Sequence, residues 1–168
     1  MNNQYQFYET PEWLADYMCV RVINPGKTLE PSAGNGSLIR SYQKLFDNEV
    51  DCFEMMPENR DVLLCMNNVN IIGYDFLESN LDGVYDNIIA SPPFSNGADI
   101  IHINKMYASL ASGGRLITTC SSKVSEEKSL FLEWLKQVNA QIEEFNFNAF
   151  AEGGSKNKSS YLIIIDKK

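Results

Sequence analysis

Apolar and polar positions along this 168-residue chain switch repeatedly between two periods. Short runs rich in β-branched and aromatic residues occur at Thr28–Glu30, Val50–Glu54, Asn70–Tyr74, Asp86–Ala90, Arg115–Thr119, Gln141–Phe147 and Ser160–Asp166. Between most of them the spacing is helical, over Pro11–Ile23, Ser37–Phe46, Pro57–Met66, Ala98–Ala111 and Ser125–Val138. Strands alternating with helices predict a doubly wound α/β fold, a mostly parallel seven-stranded sheet covered on both faces. The ending departs from that rhythm. Only Ala151–Lys158, polar and rich in glycine and lysine, separates the last two strands, so they must pair antiparallel near the sheet edge.

Two helix details follow from local chemistry. Thr10-Pro11-Glu12 predicts an N-cap threonine, proline at the first helical position and an acid in the first turn. In Ala98–Ala111, Ile100, Ile103, Met106, Tyr107 and Leu110 form a core stripe, with His102 on another face as a structural or surface residue.

Length and composition predict one domain over residues 1–168, without a separate target-recognition domain. No apolar run approaches membrane-spanning length, and the start Met1-Asn2-Asn3-Gln4-Tyr5-Gln6 lacks the basic and apolar segments of a secretory signal. A cytoplasmic protein without membrane association is expected. Cys19, Cys52, Cys65 and Cys120 are widely spaced around a single histidine, which predicts buried free thiols and no metal site. The net charge is −8, with 6 basic against 15 acidic residues over 1–114 and 8 against 7 thereafter. Lys123, Lys128, Lys156 and Lys158 therefore give the later face its best prospect of meeting a polyanion.

The first strand runs into Glu30-Pro31-Ser32-Ala33-Gly34-Asn35-Gly36 and then a helix. Gly34 and Gly36 allow a tight turn close to a ligand, but position 39 is Ile where a dinucleotide fingerprint needs its third glycine. No Gly-Lys-Ser/Thr follows, and Glu30 would repel a polyphosphate. An acid before the glycines better suits a cationic amine and a sulfonium, the charge pattern of S-adenosylmethionine. Glu54, at the end of the second strand, can accept from both hydroxyls of a ribose. Asp75 can accept from an adenine amine while Phe76 covers the ring. Three carboxylates thus close three consecutive strands, where open α/β sheets bind ligands.

The fourth strand runs into Ser91-Pro92-Pro93-Phe94. Paired prolines stiffen the loop and remove donors, so a hydroxyl and carbonyls can face a planar amine while Phe94 stacks on it. Together these motifs resemble the class I S-adenosylmethionine-dependent methyltransferases, specifically the N6-adenine type of DNA amino-methyltransferase in a small form like those of phages and mobile elements. The resemblance covers nearly the whole chain. It implies cofactor contacts from Thr10, Pro11, Glu30, Pro31, Ala33, Gly34, Gly36, Glu54, Met55, Asp75 and Phe76. It also implies catalysis at Ser91, Pro92, Pro93 and Phe94, with Phe94, Lys156 and Lys158 toward the substrate. Nucleic acid, DNA first, and a separate recognition chain are the implied partners.

One position departs from the pattern. Serine stands at 91 where that branch has asparagine; Ser-Pro-Pro is familiar from N4-cytosine enzymes. Adenine N6, cytosine N4, weakened activity and lost activity all remain open, as do guanine N2 of RNA, a protein glutamine, and a non-catalytic cofactor-binding scaffold.

Overall fold

The computed structural model describes residues 9–121, 126–146 and 159–168. Five helices and seven strands are placed: α1 Glu12–Cys19, β1 Thr28–Glu30, α2 Ser37–Gln43, β2 Val50–Phe53, α3 Pro57–Leu64, β3 Val69–Gly73, β4 Tyr85–Ala90, α4 Ala98–Ser109, β5 Leu110–Ser121, α5 Glu126–Gln137, β6 Gln141–Asn146 and β7 Ser159–Asp166. The strands form one sheet in the order β3-β2-β1-β4-β5-β7-β6. Pairings from β3 through β5 are parallel, and β7 runs antiparallel to both β5 and β6. The doubly wound, mostly parallel sheet with a reversed strand beside its edge is the predicted architecture.

Period-two alternation divides the core between the two faces. Ile89, Ile117, Leu162 and Ile164 pack with Leu14 and Met18 of α1, Leu38 and Ile39 of α2, and Leu63 of α3. Ile88, Leu116, Ile163 and Ile165 pack on the other side with Ile103 and Met106 of α4 and Phe131 and Leu135 of α5. Burial on both faces is why these strands read as nearly continuous apolar runs. Strand order reverses between β1 and β4, where diverging connections leave a crevice at the carboxyl ends of the strands. Glu30 ends β1 and Ser91 follows β4 at that crevice.

Several boundaries differ from expectation. α1 begins at Glu12 with Pro11, not Thr10, at the N-cap: the Pro11 carbonyl accepts from the N–H groups of Leu14 and Ala15. β5 begins at Leu110, consuming the predicted end of α4. β3 runs from Val69 to Gly73 because it pairs with β2 from Val50 onward. Cys19, Cys52 and Cys120 are buried thiols as expected, but Cys65, just past α3, is exposed. Among the described residues, no helix is long and apolar enough to cross a membrane.

Candidate functional site

The loop from β1 to α2 is held by a carboxylate as well as by its own turn, in which the Gly36 N–H donates to the Ala33 carbonyl at 2.9 Å. Glu54, 7% exposed, accepts through Oε2 from Gly34 N–H at 2.7 Å and through Oε1 from Met56 N–H at 2.7 Å. The Ala33 N–H donates to the Phe53 carbonyl, tying the same loop to β2. Gly36 takes φ 86°, a left-handed conformation that favours glycine, and a Cβ there would have to displace Met66 Sδ from 2.7 Å. The Ser37 hydroxyl donates to the Thr10 carbonyl at 2.6 Å, which draws the segment before α1 over the loop.

Glu30 is 2% exposed. Its Oε1 accepts from Ser32 N–H at 2.9 Å, and no described residue donates to Oε2. Burial, reinforced by the nearby Glu54 charge, pushes its carboxyl up to about 8 against the bond from Ser32. Without ligand, the folded chain holds a proton there that the unfolded chain releases near its ordinary value of 4.5. Stability from this group is therefore full below that value and is lost as pH rises through the folded value. Glu30→Gln should remove a slope of up to about 1.4 kcal/mol per pH unit across that window. Urea unfolding of both proteins at pH 5 and pH 8.5 checks this; equal slopes would refute it.

Asp75 lies two residues beyond β3. Its Oδ1 accepts from Leu77 N–H at 2.8 Å and caps a 3₁₀ turn over Phe76–Glu78. Phe76 is 2% exposed, its ring 5.6 Å from that of Phe53, so it belongs to the core as well as to the cavity wall.

Ser91 is fixed from the neighbouring strand. The Thr119 hydroxyl on β5 donates to Ser91 Oγ at 3.1 Å, and the Ser32 hydroxyl donates to the Ser91 carbonyl at 3.5 Å. Past Phe94 the chain turns through Asn96 and Gly97, both at positive φ, into α4. There Asp99, 1% exposed, accepts from Ser121 N–H at 2.8 Å and from the Cys120 thiol, pinning the start of α4 to the end of β5.

These elements enclose a cavity of about 310 Å³, at the small end of the range for small-molecule sites. Thr10, Glu30, Pro31, Ala33, Gly34, Glu54, Met55, Asp75, Phe76, Ser91, Pro92, Pro93 and Phe94 all line it. Pro11 and Gly36 do not: one caps α1 and the other starts α2. Lys123, Lys156 and Lys158 lie outside the described residues, as does the side chain of Lys128. His102, expected away from the site, is in its wall.

No family model and no curated protein sequence matches the chain. Solved structures do. A Pyrococcus horikoshii protein proposed as an RNA methyltransferase superimposes over 95% of this chain and 87% of its own, at 19% identity and TM-score 0.69. An S-adenosylmethionine-dependent O-methyltransferase of Thermotoga maritima matches over 98% and 68%, at 15% identity and TM-score 0.69. A geranyl diphosphate methyltransferase solved with S-adenosylmethionine matches over 94% and 85%, at 12% identity and TM-score 0.68. The fold is that of the S-adenosylmethionine-dependent methyltransferases. The names of these three differ in substrate, a proposed RNA enzyme beside a geranyl diphosphate enzyme, so the substrate must be argued from the site.

The sequence reading did not single out His102 as a lining residue, nor Thr119 and Asp99, which brace the wall from behind. Thr119 faces Ser91 only because β5 lies beside β4, with Ala90 opposite Thr118. Its nearest sequence signal is a hydroxyl late in an apolar strand, adjacent to the one that feeds the proline loop.

Proposed function

We propose that this protein transfers a methyl group from S-adenosylmethionine to an exocyclic amino nitrogen of a nucleic-acid base, foremost adenine N6 in DNA, with cytosine N4 second. The observation that carries the reading is that the Ser91–Phe94 loop shares one cavity with Glu30, Glu54 and Asp75. The donor set fits the cofactor. The uncommitted Oε2 of Glu30 becomes, once a cationic amine displaces its proton, a buried acceptor suited to that amine. Glu54 keeps a second lone pair on each oxygen for ribose hydroxyls, and Asp75 keeps Oδ2 for a ring amine. S-adenosylmethionine, when bound, supplies an electrophilic methyl group.

The remaining work belongs to the proline loop. An aryl amine is a weak nucleophile because its lone pair is delocalised into the ring. Acceptors on both N–H groups draw the nitrogen toward tetrahedral geometry and release that lone pair. Ser91 Oγ is one acceptor: Thr119 donates to one of its lone pairs and leaves the other for a guest. A carbonyl of the Pro92-Pro93 segment is the second, and Phe94 holds the ring plane. Catalysis on this scheme is positioning and electrostatic preorganisation. A base stacked in a duplex cannot enter such a cavity, so the substrate is single-stranded or flipped. The acidic balance of the chain assigns much of the nucleic-acid affinity to a partner chain.

Thr119→Val should lower turnover about tenfold, the scale of one lost positioning hydrogen bond, and leave affinity for S-adenosylhomocysteine unchanged. Thr119→Ser should recover most of the loss. Parallel kinetics and calorimetry decide; an unaffected valine variant would remove Thr119 from the mechanism. The reading as a whole is tested by transfer of a tritiated methyl group from S-adenosylmethionine to single-stranded DNA, duplex DNA, RNA and protein. Label in single-stranded DNA is expected, and no label in any of them would refute it.

A further inference from the structure

His102 is the single histidine of the chain and is 8% exposed in the wall of the cavity. Its Nδ1 lies 2.8 Å from the carbonyl oxygen of Ala98, one helical turn earlier. A carbonyl only accepts, so Nδ1 must carry the proton, and the tautomer is fixed by the backbone of α4. In the neutral ring the opposite nitrogen, Nε2, is then a bare acceptor, and no described residue donates to it. Burial lowers the pKa, helped by the Lys105 charge and outweighing the bond to Ala98 and the charges of Asp75 and Asp99. The ring is neutral near pH 7.

An unpartnered lone pair in a buried wall is costly unless a guest supplies a hydrogen. The neighbouring acceptor is the Asp75 carboxylate, whose Oδ1 is occupied by Leu77 N–H. Phe76, the residue after Asp75, lines the same wall, its ring centroid 6.2 Å from the imidazole. Two acceptors beside an aromatic face match a planar ring bearing an NH₂ group, which has two hydrogens to give. An oxo group in the same place would meet lone pairs on both sides.

We infer that His102 is a specificity-determining residue, whose Nε2 accepts a hydrogen bond from an exocyclic amine of a heterocycle bound in this cavity. The inference deepens the proposed function and rests on it. The amine has two sources, the purine of the cofactor and the target base, and the experiment separates them.

With one histidine, ¹H–¹⁵N long-range correlation spectra of labelled protein contain one imidazole, assigned without mutagenesis. The free protein should show a protonated Nδ1 and an imine-type Nε2. Saturation with S-adenosylhomocysteine should move Nε2 upfield, toward a hydrogen-bonded imine, and leave Nδ1 in place. A shift that comes only when deoxyadenosine or deoxycytidine is added to that complex would assign the amine to the target base and put Nε2 in place of the Pro92-Pro93 carbonyl as its second acceptor. Unmoved Nε2 in both arms, with calorimetry showing that S-adenosylhomocysteine binds, overturns this inference alone. Failure of S-adenosylhomocysteine to bind at all overturns the proposed function with it. For the cofactor arm, replacing the purine amine by oxygen, as S-inosylhomocysteine, should weaken binding about tenfold or more. His102→Phe should shrink that ratio, and an unchanged ratio contradicts the role.

Discussion

Replacing Phe94 with alanine should leave the affinity for S-adenosylhomocysteine unchanged and reduce methyl transfer by about two orders of magnitude or more. The split follows from where the loop sits. Phe94 lines the cavity from the β4 side, whereas the acids assigned to the cofactor end β1 or follow β2 and β3. Its ring touches no cofactor group in this scheme; it sets the plane in which the amine meets the acceptors of Ser91 and the Pro92-Pro93 segment. A ring tilted or displaced by an ångström loses alignment with the transferred methyl while the cofactor half of the site stays intact. Calorimetry and single-turnover kinetics on the same preparations separate the two halves. Equal loss of binding and turnover would place Phe94 in the cofactor site, and full turnover would remove it from the mechanism.

Glu54→Gln is expected to have the opposite profile, a loss of cofactor affinity on the order of a hundredfold together with lower stability. The two oxygens of Glu54 each accept one main-chain N–H, from Gly34 and Met56. Glutamine offers one oxygen and one NH₂, so one of those N–H groups must face another donor in a site that is 7% exposed. The clash loosens the glycine loop that forms the cavity floor and removes the charge that holds it. An aspartate in place of Glu54 keeps the charge but is one methylene too short to span both N–H groups, so it should recover only part of the loss. Thermal unfolding and titration with S-adenosylhomocysteine measure both effects. A glutamine variant that binds as tightly as the parent would show that the loop keeps its shape unaided.

What could be read from the sequence was what local chemistry determines. Glycines at 34 and 36 permit a tight turn between a strand and a helix, and paired prolines after an apolar strand stiffen the loop. Acids placed after successive strands of an α/β pattern gather at one end of a parallel sheet because every such strand points the same way. The reversed strand was equally legible, since the segment between Gln141–Phe147 and Ser160–Asp166 is too short for a crossover.

What depends on neighbours distant in sequence could not be read. Thr119 and Ser91 are 28 residues apart and meet through the register of β4 against β5. Asp99, in the first turn of α4, is buried against Ser121 because α4 packs on the end of β5. His102 was placed off the core stripe, correctly as far as periodicity goes. The periodicity does not say that the cavity, and not solvent, lies on that side of α4. The N-cap was misplaced by one residue because threonine is the better capping side chain. Here the Thr10 carbonyl is already engaged by Ser37, and the helix starts from the Pro11 carbonyl.

The central claim is that one cavity presents a methyl donor to an amine held by Ser91 and its loop. The most direct measurement is nucleoside mass spectrometry of single-stranded DNA after incubation with the protein and isotopically labelled S-adenosylmethionine, run beside the Phe94→Ala variant. Label is expected on an exocyclic amino nitrogen, adenine N6 first, and none above background with the variant. Label on a ring carbon or an oxygen, or equal label with the variant, would contradict it.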